Sequence, residues 1–300
     1  MRCHALLLLI LFVLPAAEAR DHDRIIKPAL IELDTGPPSW LFGTIHLPDP
    51  RVTRLHPDAA RAFEQADVVY TEVPMDPKNT MQMGIQSLRS DGRTLYDVLP
   101  RATWQRLDER LRRINPQLGA KLLLPMKTWA VYGGMLLFES QLQYPDARPL
   151  DWQLYQKAVD AGKTTGGLEQ VEEQIRVFEN FTEAEQQQML LALLDEMERF
   201  ERRGENVTEF MIQWYLSGDY MRFEELMEAM PMATDPDLRK ELEQLLVYDR
   251  NIRFAKRIAE KIRENPGKSL FFAIGMGHLG GERSVPALLG QEGIGIKSGN

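Results

Sequence analysis

Two short apolar runs, far apart in the chain, end in the same four-residue pattern, Gly-x-x-His. The first run is LFGTIH, residues 41–46, and the second is FFAIGMGH, residues 271–278. Continuous apolar runs of this length are typical of buried β-strands. Each predicted strand therefore places a histidine, His46 or His278, at the point where the strand gives way to a loop, and a histidine there can bind a metal or move protons.

The segment around the first of these histidines predicts a strand–helix–strand unit. Alternating apolar and polar residues predict a hairpin with strands at 29–33 and 40–47. A short helix with an apolar face follows at 59–66, and a buried strand at 67–73 ends near Glu72. Strands joined through a helix favour parallel pairing. We therefore expect an α/β fold with a central mixed, partly parallel β-sheet flanked by helices.

The middle of the chain predicts a large helical insertion. From about residue 95 to 230 the pattern is helical almost throughout, with one break. An amphipathic helix at 151–161 begins at Asp151 and leads into a short strand at 163–169. That strand ends in a glycine pair and Glu169, so it delivers a second carboxylate to a strand end.

A long helix is predicted over residues 234–265, with an apolar stripe that includes Leu245, Ile252 and Ile258. The polar triplet Asp249-Arg250-Asn251 interrupts this stripe. One interpretation is a buried polar network that fixes the position of the helix. The other is that Arg250 holds a substrate carboxylate or a developing oxyanion. The pattern leaves both interpretations open.

The N-terminus predicts export. An apolar run at 5–14 followed by an A-x-A site is typical of a secretory signal peptide, here residues 1–19 with cleavage after Ala19. The run is too short to span a membrane, so we expect no integral membrane segment in the mature chain, which would be a single periplasmic or secreted domain over 20–300. The net charge of -8 gives no electrostatic reason to bind nucleic acid.

Three strand-end side chains carry the predicted chemistry. If their strands lie side by side and parallel, His46, Glu72 and His278 meet at one edge of the sheet. Two imidazoles and one carboxylate are a sufficient ligand set for a divalent metal with open positions. Such a metal generates hydroxide near neutral pH and polarises a carbonyl, which is hydrolytic chemistry. We expect Gly43 and Gly275 to let the backbone turn sharply and to leave room for substrate.

Each of these side chains also has a structural interpretation. A single histidine at a strand end is more often held by hydrogen bonds than by a metal. Glu72 is as well suited to a helix cap or a surface salt bridge as to a metal. Glu169, at the end of its own strand, is a competing carboxylate.

With these residues in hand, the chain resembles the TraB/GumN family, which includes the TIKI proteases that inactivate Wnt. The matching segments are GTIHLPD at 43–49, VVYTEV at 68–73, PLDWQLYQKAVDAGKTTGGLE at 149–169, DRN at 249–251 and GMGHLGG at 275–281. The resemblance implies one α/β domain with a large helical insertion, related to the erythromycin esterase and ChaN-like group. Asp151 and Asn251 lie within matching segments and are further site candidates.

The resemblance also implies an activity. In the TIKI branch the two Gly-x-x-His motifs and a glutamate are linked to metal-dependent peptide hydrolysis, which carries over to His46, His278 and Glu72. We therefore expect a hydrolase of peptide or amide bonds that uses Mn, Co or Zn and acts on a peptide or small-molecule substrate. One alternative is a metal-independent, esterase-type hydrolase with His46 as general base paired with a carboxylate. The other is a non-catalytic protein that binds a peptide signal.

Overall fold

The structure, a computed structural model, describes residues 27–229 and 232–297. The predicted signal peptide lies outside these residues. The described strands form one sheet in the order β4-β3-β5-β2-β1-β6. They are β1 (Leu30–Asp34), β2 (Ser39–Thr44), β3 (Val68–Thr71), β4 (Thr164–Gly167), β5 (Leu270–Gly275) and β6 (Gly295–Ile296).

The four strands β4, β3, β5 and β2 are parallel, and the two remaining strands make the sheet mixed. Strand β5 pairs in parallel with β2 on one side and with β3 on the other. The registers place Thr44 opposite Gly275 and Thr71 opposite Ala273. Strands β1 and β2 form the predicted antiparallel hairpin. The expected mixed, partly parallel sheet is confirmed.

Helices flank the sheet and make up most of the described residues outside it. Those before β4 are α1 (Pro50–Thr53), α2 (Pro57–Gln65), α3 (Pro77–Gln86), α4 (Leu95–Val98), α5 (Arg101–Ile114), α6 (Thr128–Gln143) and α7 (Leu150–Asp160). Those after β4 are α8 (Val171–Glu179), α9 (Glu183–Arg202), α10 (Val207–Ser217), α11 (Phe223–Ala229), α12 (Pro236–Glu243), α13 (Asp249–Glu264) and α14 (Val285–Leu289). The 3-10 turns are Ala120–Leu123, Tyr220–Arg222 and Met276–His278.

The core lies along the central strands. Every residue of β2 is buried, and β5 is buried except at its last residue, as expected for strands covered on both faces. Phe63 of α2 meets Phe271 of β5 edge-on, with ring centroids 5.5 Å apart. Residues 95–229 consist of helices, 3-10 turns and connecting loops apart from β4, and helices α5, α6 and α9 bury a second apolar cluster of their own. This arrangement agrees with the expected α/β fold with a helical insertion.

The predicted long helix is divided by a π-helical turn, Gln244–Tyr248, between α12 and α13. A π turn inserts about one residue, which rotates the following side chains by about 100° around the helix axis. The prediction that Ile252 belongs to the buried stripe is wrong, because its side chain is 54% exposed. The same rotation turns Asn251 into the core, where it is 1% exposed.

None of the helices within residues 27–229 and 232–297 is long and apolar enough to cross a membrane.

Candidate active site

The carboxyl ends of β2, β3 and β5 meet at one edge of the sheet. His46 lies two residues beyond β2, Glu72 directly follows β3, and His278 closes the 3-10 turn after β5. Because the three strands are adjacent and parallel, these side chains lie at the same edge of the sheet, where the strands end. The structure thus brings together residues that are more than two hundred positions apart in sequence.

His46 is held by Asp151, which lies in the first turn of α7. The His46 Nδ1 atom is 2.7 Å from Asp151 Oδ2. The Asp151 side chain is buried, while 47% of the His46 side chain is exposed. The negative charge of Asp151 raises the pKa of His46 to about 9 despite partial desolvation. With Nδ1–H donated to Asp151, Nε2 is the ring nitrogen that could bind a ligand, and below about pH 9 it must first release its proton.

Glu72 is buried and ionised. Its Oε2 atom accepts a hydrogen bond of 2.6 Å from Arg250 Nη2, and its Oε1 atom accepts one of 2.7 Å from the backbone N–H of Gly275. Burial alone would raise the pKa of Glu72, but the positive charge of Arg250 outweighs it and holds that pKa well below its usual range. The carboxylate is therefore fixed in place and charged.

Glu169 is the second carboxylate that binds Arg250. Arg250 Nε and Nη2 lie 3.0 and 2.9 Å from Glu169 Oε2, and Arg253 binds Glu169 Oε1. Gln174, on α8, reaches towards both carboxylates, at 3.3 Å from Glu72 and 3.4 Å from Glu169. Glu169 is completely buried, so two guanidinium groups compensate its charge. Its closest side-chain contacts are with arginines, so Glu169 anchors Arg250.

His278 is buried and neutral. Burial and the nearby charge of Arg250 lower the pKa of His278 to about 3. Its Nδ1 atom is 2.6 Å from Asn251 Oδ1, and the Asn251 amide is oriented by a second hydrogen bond to the backbone of Arg283. His278 therefore donates through Nδ1, and its Nε2 lone pair faces Arg250 Nη1 at 3.3 Å. Nε2 also lies 3.7 Å from Glu72 Oε1.

The two glycines of the repeated motif permit close packing. A Cβ atom on Gly43 would lie 2.9 Å from Ala29 and from Leu279, so this space is filled by protein. The expectation that Gly43 leaves room for substrate is therefore wrong. A Cβ on Gly275 would lie 3.2 Å from Glu72 Oε1, so Gly275 lets its own N–H approach the carboxylate.

A cavity of about 840 Å³ opens onto this group of side chains. His46, Glu72, Asp151 and Arg250 line its polar part, and the remaining lining is largely apolar. A volume of this size, with a few polar groups converging in it, is typical of a ligand or active site. His278 lies behind the lining, in contact with Arg250 and Glu72.

Three residues of the site are not predicted from the sequence, which indicates only a packing role for Trp152 and none for the other two. Gln174 bridges two carboxylates, Arg253 shares Glu169 with Arg250, and Trp152 lines the cavity. The sequence does indicate that Arg250 and Arg253 share one face of a helix, because they lie three residues apart. Their partners on other elements cannot be read from that spacing.

The fold and these contacts define an α/β protein with a histidine and carboxylate site at the carboxyl edge of its sheet. The chain belongs to the TraB/PrgY/gumN family, whose sequence model matches residues 30–298. No solved structure matches the chain.

Several curated relatives are named as metalloproteases. Metalloprotease TIKI2 of Danio rerio is 31% identical over 306 residues, and TIKI2 of Xenopus tropicalis is 30% identical over 304 residues. Each alignment covers 87% of this chain and 58% of the relative. Metalloprotease TIKI1 of Homo sapiens is 29% identical, with 91% of this chain and 63% of the relative covered. The chain thus spans about three fifths of the length of these relatives.

The donor atoms have the chemistry that a divalent metal requires. His46 and His278 each have Nδ1 tied by a partner, which is how metal-binding histidines are oriented. The 3.7 Å between His278 Nε2 and Glu72 Oε1 is close to the roughly 3.4 Å between two ligands of a tetrahedral ion. The described residues nevertheless contain no cluster of three His, Cys, Asp or Glu side chains at metal-binding spacing. Arg250 contacts both Glu72 and His278 and would have to withdraw.

Proposed function

We propose that this protein is a hydrolase that cleaves peptide or amide bonds of an exported substrate, with Mn, Co or Zn held by His46, Glu72 and His278. The observation that carries the proposal is the matched pair of oriented imidazoles, each with Nδ1 held by a side-chain oxygen, so that Nε2 is the candidate metal-binding atom. Membership of a family with relatives named metalloproteases supports the same activity.

In this hydrolase, Asp151 and Asn251 would orient the two histidines. Asp151 orients His46, and Asn251 accepts the Nδ1–H of neutral His278, which leaves the lone pair on Nε2. A bound divalent metal would supply an activated water and polarise the carbonyl under attack.

Arg250 is the group that would stabilise the developing oxyanion. When it leaves Glu72 and His278, Glu169 keeps it at the edge of the cavity as a fixed positive charge.

The test is hydrolysis of a complex peptide mixture, read by mass spectrometry, after the protein has been stripped with a chelator and reloaded with Mn, Co or Zn separately. We expect cleavage only after reloading, and a loss of at least a hundredfold in His46→Ala and His278→Ala. His56→Ala is the matched control, because His56 caps α2 away from the cavity. Full activity in His46→Ala or His278→Ala would contradict the proposal.

A metal-independent hydrolase is the second candidate, and the His46–Asp151 pair favours it. An imidazole held by a carboxylate beside a buried arginine is a suitable general base next to an oxyanion-stabilising group. Since Asp151 raises the pKa of His46 to about 9, this activity would rise with pH up to about 9. Cleavage that survives exhaustive chelation and follows this pH dependence would support it.

The same peptide mixture also tests a non-catalytic role. Tight retention of particular peptides without turnover under any metal condition would identify a peptide-binding protein.

A further inference from the structure

The cavity beside the candidate site has a wall whose chemistry narrows the class of substrate. Residues 148–152 include the start of α7 and contribute three different groups to the cavity. Asp151 holds His46, Trp152 lines the apolar wall, and Arg148 lies at the exposed rim. The apolar wall and the charged rim are therefore fixed in position relative to His46.

The apolar part of the cavity lining comes from separate elements of the fold. Trp152 comes from α7, Phe178 from the end of α8, and Leu246 from the π-helical turn. Phe178 is immobilised by stacking on Trp129, with ring centroids 5.3 Å apart. Aromatic walls of this kind bury a large apolar side chain.

Helix α3 supplies the solvent-exposed part of the apolar lining. It contains no buried residue, and Met81 is 63% exposed although it lines the cavity. Ile85, four residues further along the helix, is 59% exposed and does not line the cavity. A flexible methionine on a lightly packed helix adapts readily to a bound apolar side chain.

Arg148 is the unpaired charge of the cavity. The other charged lining residues are paired, Asp151 with His46 and Glu72 with Arg250. The Arg148 guanidinium lies over the Trp152 ring at 5.6 Å and forms no ion pair within the described part of the chain. A cation at the rim of an otherwise neutralised pocket is complementary to a carboxylate.

We propose that the cavity binds a peptide segment through one large apolar side chain, held by Trp152, Phe178 and Met81, and through one carboxylate, bound by Arg148. The carboxylate is either an acidic side chain or the C-terminus of the peptide. This inference gives the substrate class of the proposed hydrolase and rests on that function for its catalytic meaning, while the binding it describes is measurable separately.

The test uses two libraries of N-acetylated octapeptides with randomised positions, one ending in a free carboxylate and one in an amide. Each is passed over the immobilised full-length protein at low temperature, and retained peptides and fragments are sequenced by mass spectrometry. We expect enrichment of Leu, Met, Phe or Trp together with Asp or Glu. Enrichment of acidic residues in the amidated library assigns the carboxylate to a side chain, and retention of only the free-acid library assigns it to the C-terminus.

Variants separate the two contacts. Arg148→Ala lowers retention of acidic or free-acid peptides about two- to fivefold, the range of an exposed ion pair, and Arg148→Lys restores part of it. Met81→Ala lowers retention of apolar peptides about two- to tenfold, because part of the wall is removed. The controls Arg54→Ala and Ile85→Ala, exposed residues outside the cavity lining, leave retention unchanged.

The outcomes distinguish the two proposals. Enrichment of basic peptides, unchanged selectivity in Arg148→Ala and Met81→Ala, or no retained peptide in either library would overturn the substrate class. Peptides retained with the expected selectivity but never cleaved with Mn, Co, Zn or without metal would support the binding inference and count against the hydrolase alone.

Discussion

Replacing Asp151 with asparagine tests the geometry of the site through the charge of His46. Asparagine keeps the size of the side chain and an oxygen acceptor for Nδ1–H, but it removes the negative charge that raises the pKa of His46 from 6.5 to about 9. In the metal-free protein, we expect the pKa of His46 in Asp151→Asn to fall to 6.5 or below. The measurement is the pH titration of the His46 ring protons by NMR.

The same substitution has a defined effect on stability. A folded-state pKa above the unfolded value adds stability that is complete below pH 6.5 and is lost as the pH rises through about 9. A shift of this size in a fully buried pair corresponds to about 3 kcal/mol, and solvent screening of the half-exposed imidazole reduces it to about 1–2 kcal/mol. Asp151→Asn should therefore cost about 1–2 kcal/mol more at pH 6 than at pH 10.

The assay is urea unfolding of metal-free wild type and Asp151→Asn at both pH values. Asp160→Asn, an exposed position near the end of the same helix, is the control and should show no pH-dependent difference. Equal destabilisation by Asp151→Asn at pH 6 and pH 10, or an unchanged pKa of His46, would refute the assigned contact.

Three further substitutions test the other contacts. Glu72→Gln should lower the free energy of unfolding in urea by about 2–3 kcal/mol, since it breaks a buried ion pair but leaves Arg250 its second carboxylate; a loss below about 0.5 kcal/mol would contradict this. Asn251→Ala releases the Nδ1–H of His278 and should weaken Zn binding, measured calorimetrically, about 10- to 100-fold; unchanged affinity would show that this hydrogen bond does not support a ligand. Gly275→Ala places a Cβ 3.2 Å from Glu72 Oε1 and should lower kcat/KM for a cleaved peptide about tenfold by displacing the carboxylate, whereas wild-type kinetics would show that its position is not critical.

The sheet and its strand ends follow from local pattern. The apolar runs before His46 and His278 and the strand before Glu72 are short, continuous and bounded by turn residues, so their burial and parallel pairing are predictable. The convergence of the three side chains at one edge follows from that pairing.

The partners of these residues were not predictable, because they lie on helices whose packing the sequence pattern does not specify. Asp151 is 105 residues from His46 in sequence. An acidic residue before Trp152 is equally compatible with the first turn of any amphipathic helix, so it does not indicate a contact with His46. Arg250 follows directly on the π-helical turn and Asp249, and the hydrophobic pattern of the sequence does not predict such a turn. The contact of Arg250 with both Glu72 and Glu169 thus emerges only in three dimensions.

The most direct measurement is anomalous X-ray diffraction from crystals loaded with Mn, Co or Zn, collected at the absorption edge of each metal. The proposed function predicts a peak bonded to His46 Nε2, His278 Nε2 and Glu72, with Arg250 withdrawn towards Glu169. No peak at this position for any of the three metals, with Arg250 still in contact with Glu72 and His278, would contradict it.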